Sequence, residues 1–230
     1  MISSVFAVLA IAQLCLAVSA ARYWRTAPGL TAVVPAAVCA ALVWDNGVIA
    51  LGELVGAGPL LEALSVPRFV AHALLTPLLV LWSLSAVAHA GLPWTRRKGA
   101  RGAAVGLTVL LVAAGVLHDI IGLTLRTERW ADTLRYTNDA ASPVGPLPAI
   151  VTGLVVLFAG IVLWRSTGFV WLAVTAAVMV VVSGAAAQIP VLGNAAEVVL
   201  NVGLLLTVRA LLPQERESSA LSMRSGSRSR

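Results

Sequence analysis

Asp45, His72 and His118 are the residues of this chain whose types and placement could do chemistry. Each falls in a run that is otherwise almost wholly apolar. Two imidazoles and a carboxylate can hold Zn²⁺ and leave one position open for water. Without a metal the same groups can relay a proton, a carboxylate fixing the tautomer of a neutral histidine that acts as base. Two histidines can also ligate a haem axially. The plain alternative is that Asp45 and Arg68 or His72 satisfy one another and lock the fold. The metal pattern is thin, because no HxxxH or HExxH pair lies on one helix. Supporting positions are Asn46, Arg68, Asp119, Glu197 and Asn201.

The elements that must position these groups are membrane helices. Of 230 residues, 59% are hydrophobic and 11% charged, with a mean hydropathy of +0.93. Soluble domains average about 25% charged residues, so composition alone excludes a soluble fold. Seven apolar runs, near 2–21, 30–54, 68–90, 103–125, 147–164, 168–189 and 194–212, each approach the ~20 residues that cross a hydrocarbon core. The expected fold is all-α, a polytopic bundle of seven transmembrane helices spanning 1–213. A Ser/Arg-rich segment, 214–230, is expected as a disordered basic cytoplasmic tail. The first run has no basic residue before it, so it is expected to remain as a helix rather than act as a cleaved signal.

Basic residues set the orientation. Twelve of the sixteen Lys and Arg lie after runs 1, 3 and 5 and at the C-terminal end; Arg68, Arg126, Arg129 and Arg135 lie on the other side. The positive-inside rule then places the N-terminus outside, and Gly91–Gly102 and the C-terminus in the cytoplasm. The same distribution turns a pI near 10.6 into a statement about membrane orientation; no nucleic-acid partner is expected, and membrane lipids are. Cys15 and Cys39 fall inside apolar runs and read as packing residues.

With that orientation the intramembrane polar groups sit at outer or middle depth. Asp45 and Asn46 lie in the outer half of run 2, His72 near the outer end of run 3, and His118 and Asp119 in the outer third of run 4. Gln188 closes run 6, and Asn194, Glu197 and Asn201 open run 7. His89 stands apart, near the inner end of run 3. Spacing by four puts Arg68, His72 and Thr76 on one stripe, and Asn194, Glu197 and Asn201 form another. His118 and Asp119 are about 100° apart on a regular helix. Gly115 and Gly122 on the His118 side favour aiming His118 inward, with Asp119 turned toward Arg126 or a neighbouring helix.

Two outer connections carry further detail. Pro59 is expected to start a short interfacial helix, and Pro67 to open run 3. The segment Arg126–Pro148 is expected to form a short amphipathic helix, with Trp130 and Leu134 at i, i+4 and Asp132 and Arg135 at i, i+3, followed by a Pro/Gly-rich return that lids the site. Several membrane chemistries are excluded by missing residues. The sole lysine, Lys98, lies in a loop, so no retinal Schiff base forms within the bundle. Ser183-Gly184 lacks the pattern of an intramembrane serine protease. Pro35 and Pro77 have no counterparts in the second half, as inverted repeats would require. The expected function is a membrane-embedded enzyme of a bacterial cytoplasmic membrane acting on a lipid or other amphiphile from the outer half of the bilayer. The alternatives are a transporter or proton-coupled carrier, and an assembly protein without chemistry. A divalent metal such as zinc on His72, His118 and Asp45 is the cofactor such an enzyme could use.

Overall fold

The computed structural model describes residues 1–26, 28–140, 145, 147–186 and 189–227. It is helical apart from one β-hairpin. In order the elements are α1 (Ile2–Thr26), α2 (Leu30–Val55), α3 (Pro59–Leu75), α4 (Leu78–His89), α5 (Lys98–Val116), β1 (Leu125–Trp130), β2 (Thr133–Asn138), α6 (Leu147–Thr167), α7 (Trp171–Ala186) and α8 (Pro190–Ser227). A 3₁₀ turn, Pro93–Arg96, precedes α5, and a π-helical turn, Leu117–Ile121, ends it.

Among the described residues five helices are long and apolar enough to cross a bilayer, and six if α3 and α4, bent by 41° at their junction, count as one broken span. The outward faces of α1, α5 and α6 expose large apolar side chains, among them Val8, Ile11, Val109, Leu110 and Phe158. Apolar surface on this scale would aggregate in water; in hydrocarbon it costs nothing. The chain is therefore a multi-pass membrane protein. α7 is the short member, apolar over Trp171–Ser183. Helix α8 continues through much of the stretch expected as a tail.

The bundle closes on itself. α2 packs on α1, α3, α4 and α8, and α8 returns to α1 and α7. The largest buried cluster, around Trp82, Leu79, Val156, Leu172 and Leu204, lies between α4, α6, α7 and α8. The indole Nε1 of Trp82 donates to the Thr31 carbonyl at 2.9 Å, so its polar end is satisfied. Small residues bring backbones together. A Cβ on Gly115 would stand 3.0 Å from the Ala73 Cα, and one on Gly203 would strike the Thr175 side chain. Such close approach is how helices associate where no hydrophobic force separates protein from solvent.

Two local expectations are corrected. Pro67 sits inside a continuous α3 that starts at Pro59, and the break comes at Thr76–Pro77 instead. A proline removes one i→i−4 bond; that loss is absorbed at Pro67 and becomes a bend at Pro77. The segment after α5 is a hairpin, not an amphipathic helix. Its antiparallel register runs from Leu125 opposite Asn138 to Trp130 opposite Thr133. The residues Thr127, Trp130, Thr133, Tyr136 and Thr137 favour strands. Alternation buries Leu134 and Tyr136 on one face. Ala131, at φ 52°, takes the left-handed turn position, a strained conformation for a residue with a Cβ. The pairing of Arg135 is with Glu128 across the hairpin at 2.9 Å, not with Asp132.

Asp132 caps α1 instead. Its carboxylate accepts from the Ile2 amide at 2.7 Å and from the Ser3 hydroxyl at 3.0 Å, and it pairs with the Met1 amino group. That amino group, with the Ile2 amide beside it, holds the Asp132 carboxyl well below the usual carboxylate range.

Candidate functional site

A cavity of roughly 740 Å³ opens between α2, α3, α6, α7 and α8. One end of its wall is polar: Asp45, Arg68, His72, Asp119, Asn194 and Glu197. The rest is largely apolar, with Val38 and Leu42 on α2, Leu79 on α4, Val156 on α6 and Leu200 on α8, interrupted by Thr76, Thr152, Ser183 and Asn201. Both polar stripes, Arg68–His72–Thr76 on α3 and Asn194–Glu197–Asn201 on α8, line it.

An ion pair organises the polar end. Arg68 Nε donates to Asp45 Oδ1 at 2.6 Å, and Asn194 Nδ2 donates to the other carboxylate oxygen at 2.8 Å. The side chains are 10% and 20% exposed, so desolvation strengthens the attraction and makes loss of either partner costly. Arg68 Nη1 reaches the Tyr136 carbonyl at 3.3 Å, and the guanidinium carbon lies 5.7 Å from the Phe69 ring centroid. The planar guanidinium thus joins α2, α3 and β2. Trp44 adds a second tie between α2 and α3, its Nε1 donating to the Leu64 carbonyl at 3.0 Å.

With both oxygens committed, Asp45 is not the partner of a histidine. His72 is exposed at the cavity wall. Its Nδ1 lies 3.4 Å from the Thr76 hydroxyl, and its Nε2 has no partner among the described residues. His118 does not line the cavity. Its ring packs against Gly145, and its Nε2 is 3.7 Å from Asp119. Asp119 is the member of this pair that lines the cavity.

The π turn is the reason. Gly122 N donates to the Leu117 carbonyl at 2.9 Å, an i→i−5 bond, so one extra residue enters the repeat and the 100° rule no longer assigns faces. The His118 carbonyl, left over by the wider turn, accepts from Asn138 Nδ2 at 3.1 Å, and the same nitrogen reaches Asp119 at 3.4 Å. Arg126 pairs with Asp139 at 3.2 Å rather than with Asp119. Helix α3 contacts both α2 and α5, which share no extended interface.

No three His, Cys, Asp or Glu side chains among the described residues come together as a metal-ligand set. A zinc site on His72, His118 and Asp45 therefore does not fit: Asp45 is occupied by Arg68 and Asn194, and His118 points elsewhere. Asn46 also leaves the site. It is fully buried, donates to the Leu42 carbonyl at 2.8 Å and does not line the cavity. Gln188 lies outside the described residues.

No protein-family model matches this chain, and no curated protein matches it.

Two polar groups, Gln13 beside the cavity residue Asn201 and Thr152 in the cavity wall, were not singled out from the sequence. Asn201 donates to Gln13 Oε1 on α1 at 3.0 Å, both residues being almost fully buried. Gln13 is the only amide in the apolar run of α1, which is the signal that could have found it. Thr152, on α6, is 1% exposed, lines the cavity and leaves Oγ1 without a hydrogen-bond partner among the described residues. Helical threonines usually bond back to their own backbone, so nothing in the sequence marks this one.

Proposed function

We propose that this is a seven-span protein of a bacterial cytoplasmic membrane, N-terminus outside and C-terminus cytoplasmic, that performs acid–base chemistry on a lipid or other amphiphile held in the outer half of the bilayer. The seven spans are α1, α2, the broken α3–α4, α5 with its π turn, α6, the short α7, and α8. The 12-to-4 division of basic residues supports the orientation.

One observation carries the functional reading: the cavity gathers its ionisable groups toward one end and is largely apolar along the rest. A charged solute would leave the apolar wall unused, and a plain hydrocarbon would leave the polar groups unanswered. An amphiphile satisfies both. In this reading Asp45 and Arg68 fix the wall, and neutral His72, with Nε2 free of described partners, is the proton acceptor. The test is His72→Gln with whole-cell lipid and metabolite profiles followed beside expression and thermal stability. A changed amphiphile species in a folded variant is expected. A folded variant with a wild-type profile overturns the enzyme.

A second reading rests on Gln13 and Asn201, which carry polar groups from the cavity toward α1. That extension suits a carrier with a path for a proton or small cargo. A changed ion or solute gradient in the variant, with unchanged lipids, selects it.

A further inference from the structure

Glu197 is the one carboxylate of the cavity wall that no other described residue answers. Asp45 is held by Arg68 and Asn194. Asp119 receives Asn138 Nδ2 and has His118 beside it. Glu197 makes no hydrogen bond or ion pair with a described residue, and its Oε2 is buried without a partner. Asp45 and Arg68 lie within electrostatic reach of it, but the Arg68 guanidinium is already committed. A second unmet acceptor lines the same cavity: Thr152 Oγ1, on a residue 1% exposed.

A carboxylate withdrawn from water costs several kcal/mol unless a cation or donors meet it. A buried carboxyl can be met by a proton of its own; in its ionised form it calls for a ligand that brings donors and positive charge. A divalent metal does not fit, since no set of three ligating side chains converges among the described residues. An ammonium group fits: it is a compact cation with as many as three donors. Beyond the polar end, Val38, Leu79, Val156 and Leu200 offer a wall suited to an alkyl chain.

We propose that the cavity binds an amphiphile with a cationic, amine-bearing head, the ammonium donating to Glu197 and Thr152 and the chain lying along the apolar wall. The proposal rests on the amphiphile reading given above and adds the charge of its head group.

The test uses three probes of equal chain length, dodecylammonium, 1-dodecanol and dodecanoate, added to the full-length protein in neutral maltoside micelles, with bound ligand counted by native mass spectrometry. A hydrogen bond to a charged group is worth about 1.5–3 kcal/mol, so the amine is expected to bind at least about tenfold more tightly than the alcohol, and dodecanoate more weakly than either. Glu197→Gln is expected to abolish the preference for the amine while leaving the alcohol unchanged. Thr152→Val is expected to reduce the preference several-fold; it decides the matter if Glu197→Gln does not fold, an unchanged preference then overturning the proposal. Equal binding of amine and alcohol to the wild type also overturns it, and leaves the amphiphile reading standing. So does a preference that persists in folded Glu197→Gln. Binding of none of the three overturns both.

Discussion

Arg68 concentrates more of the site's energetics than any other side chain. It meets Asp45 at 2.6 Å, the Tyr136 carbonyl at 3.3 Å and the Phe69 ring, and its side chain is largely withdrawn from solvent. Breaking a buried ion pair by removing one partner typically costs about 3–5 kcal/mol, because the other charge is left uncompensated. Arg68→Ala is therefore expected to lower the melting temperature in detergent markedly. Asp45→Ala in the same background should recover part of the loss, giving a non-additive double-mutant cycle. Additive losses would show that the pair contributes little.

Among the elements, the β-hairpin packs on α2 beside the ion pair, where the Tyr136 carbonyl accepts from Arg68. Its strand β2 runs directly over Gly52 on α2, where a Cβ would strike the Leu134 carbonyl. Leu134 and Tyr136 pack there with Val48 and Leu61, and Arg129 pairs with Glu53 at 2.7 Å. Gly52→Val is expected to cost about 1–3 kcal/mol through overpacking. It should also raise amide exchange across Leu125–Asn138 while leaving exchange in α6 and α7 unchanged. The far tip of the hairpin holds α1 through Asp132. Because that carboxyl titrates lower in the folded state than in the unfolded chain, its stabilisation is complete above the ordinary carboxylate pKa. It is lost as the pH falls below that value toward the lowered one. Asp132→Asn should flatten the acid side of the stability profile, read as exchange of the first amides of α1 as the pH falls from about 4, the value of a free aspartate, downward.

At the scale of the molecule, the bundle divides by depth. The half nearer the basic loop packs around Trp82, Val87, Leu163 and Leu204, nearly all apolar. The half nearer the hairpin holds the cavity and its ionisable groups. The orientation proposed from charge has a direct check. In a background lacking Cys15 and Cys39, a cysteine at Thr127 should react with a membrane-impermeant thiol reagent on intact cells, and one at Gly99 only after lysis. The reverse pattern would invert the topology and place the cavity on the cytoplasmic side.

Composition and run length determine on their own that this is a multi-pass helical membrane protein, because no water-soluble core could absorb so much apolar surface. Helical spacing by four also determines which residues share a stripe, as with Arg68, His72 and Thr76, since that period is local backbone geometry. Whether two stripes meet is a different matter. Asp45 is paired by Arg68 and Asn194, 23 and 149 residues away, and no local rule selects among the donors an aspartate could reach. His118 and Asp119 show where the helical rule itself fails. The carbonyl that the π turn releases is met by Asn138, far along the chain, which donates its Nδ2 to it, so the face presented to the cavity is settled only when the hairpin docks. The hairpin was obscured for a related reason: Trp130 and Leu134 are spaced for a helix as well as for strands, and burial of Leu134 and Tyr136 against α2 and α3 selects the strand. Tertiary packing likewise leaves Glu197 and Thr152 unanswered, since a residue's lack of a partner is a property of everything folded around it.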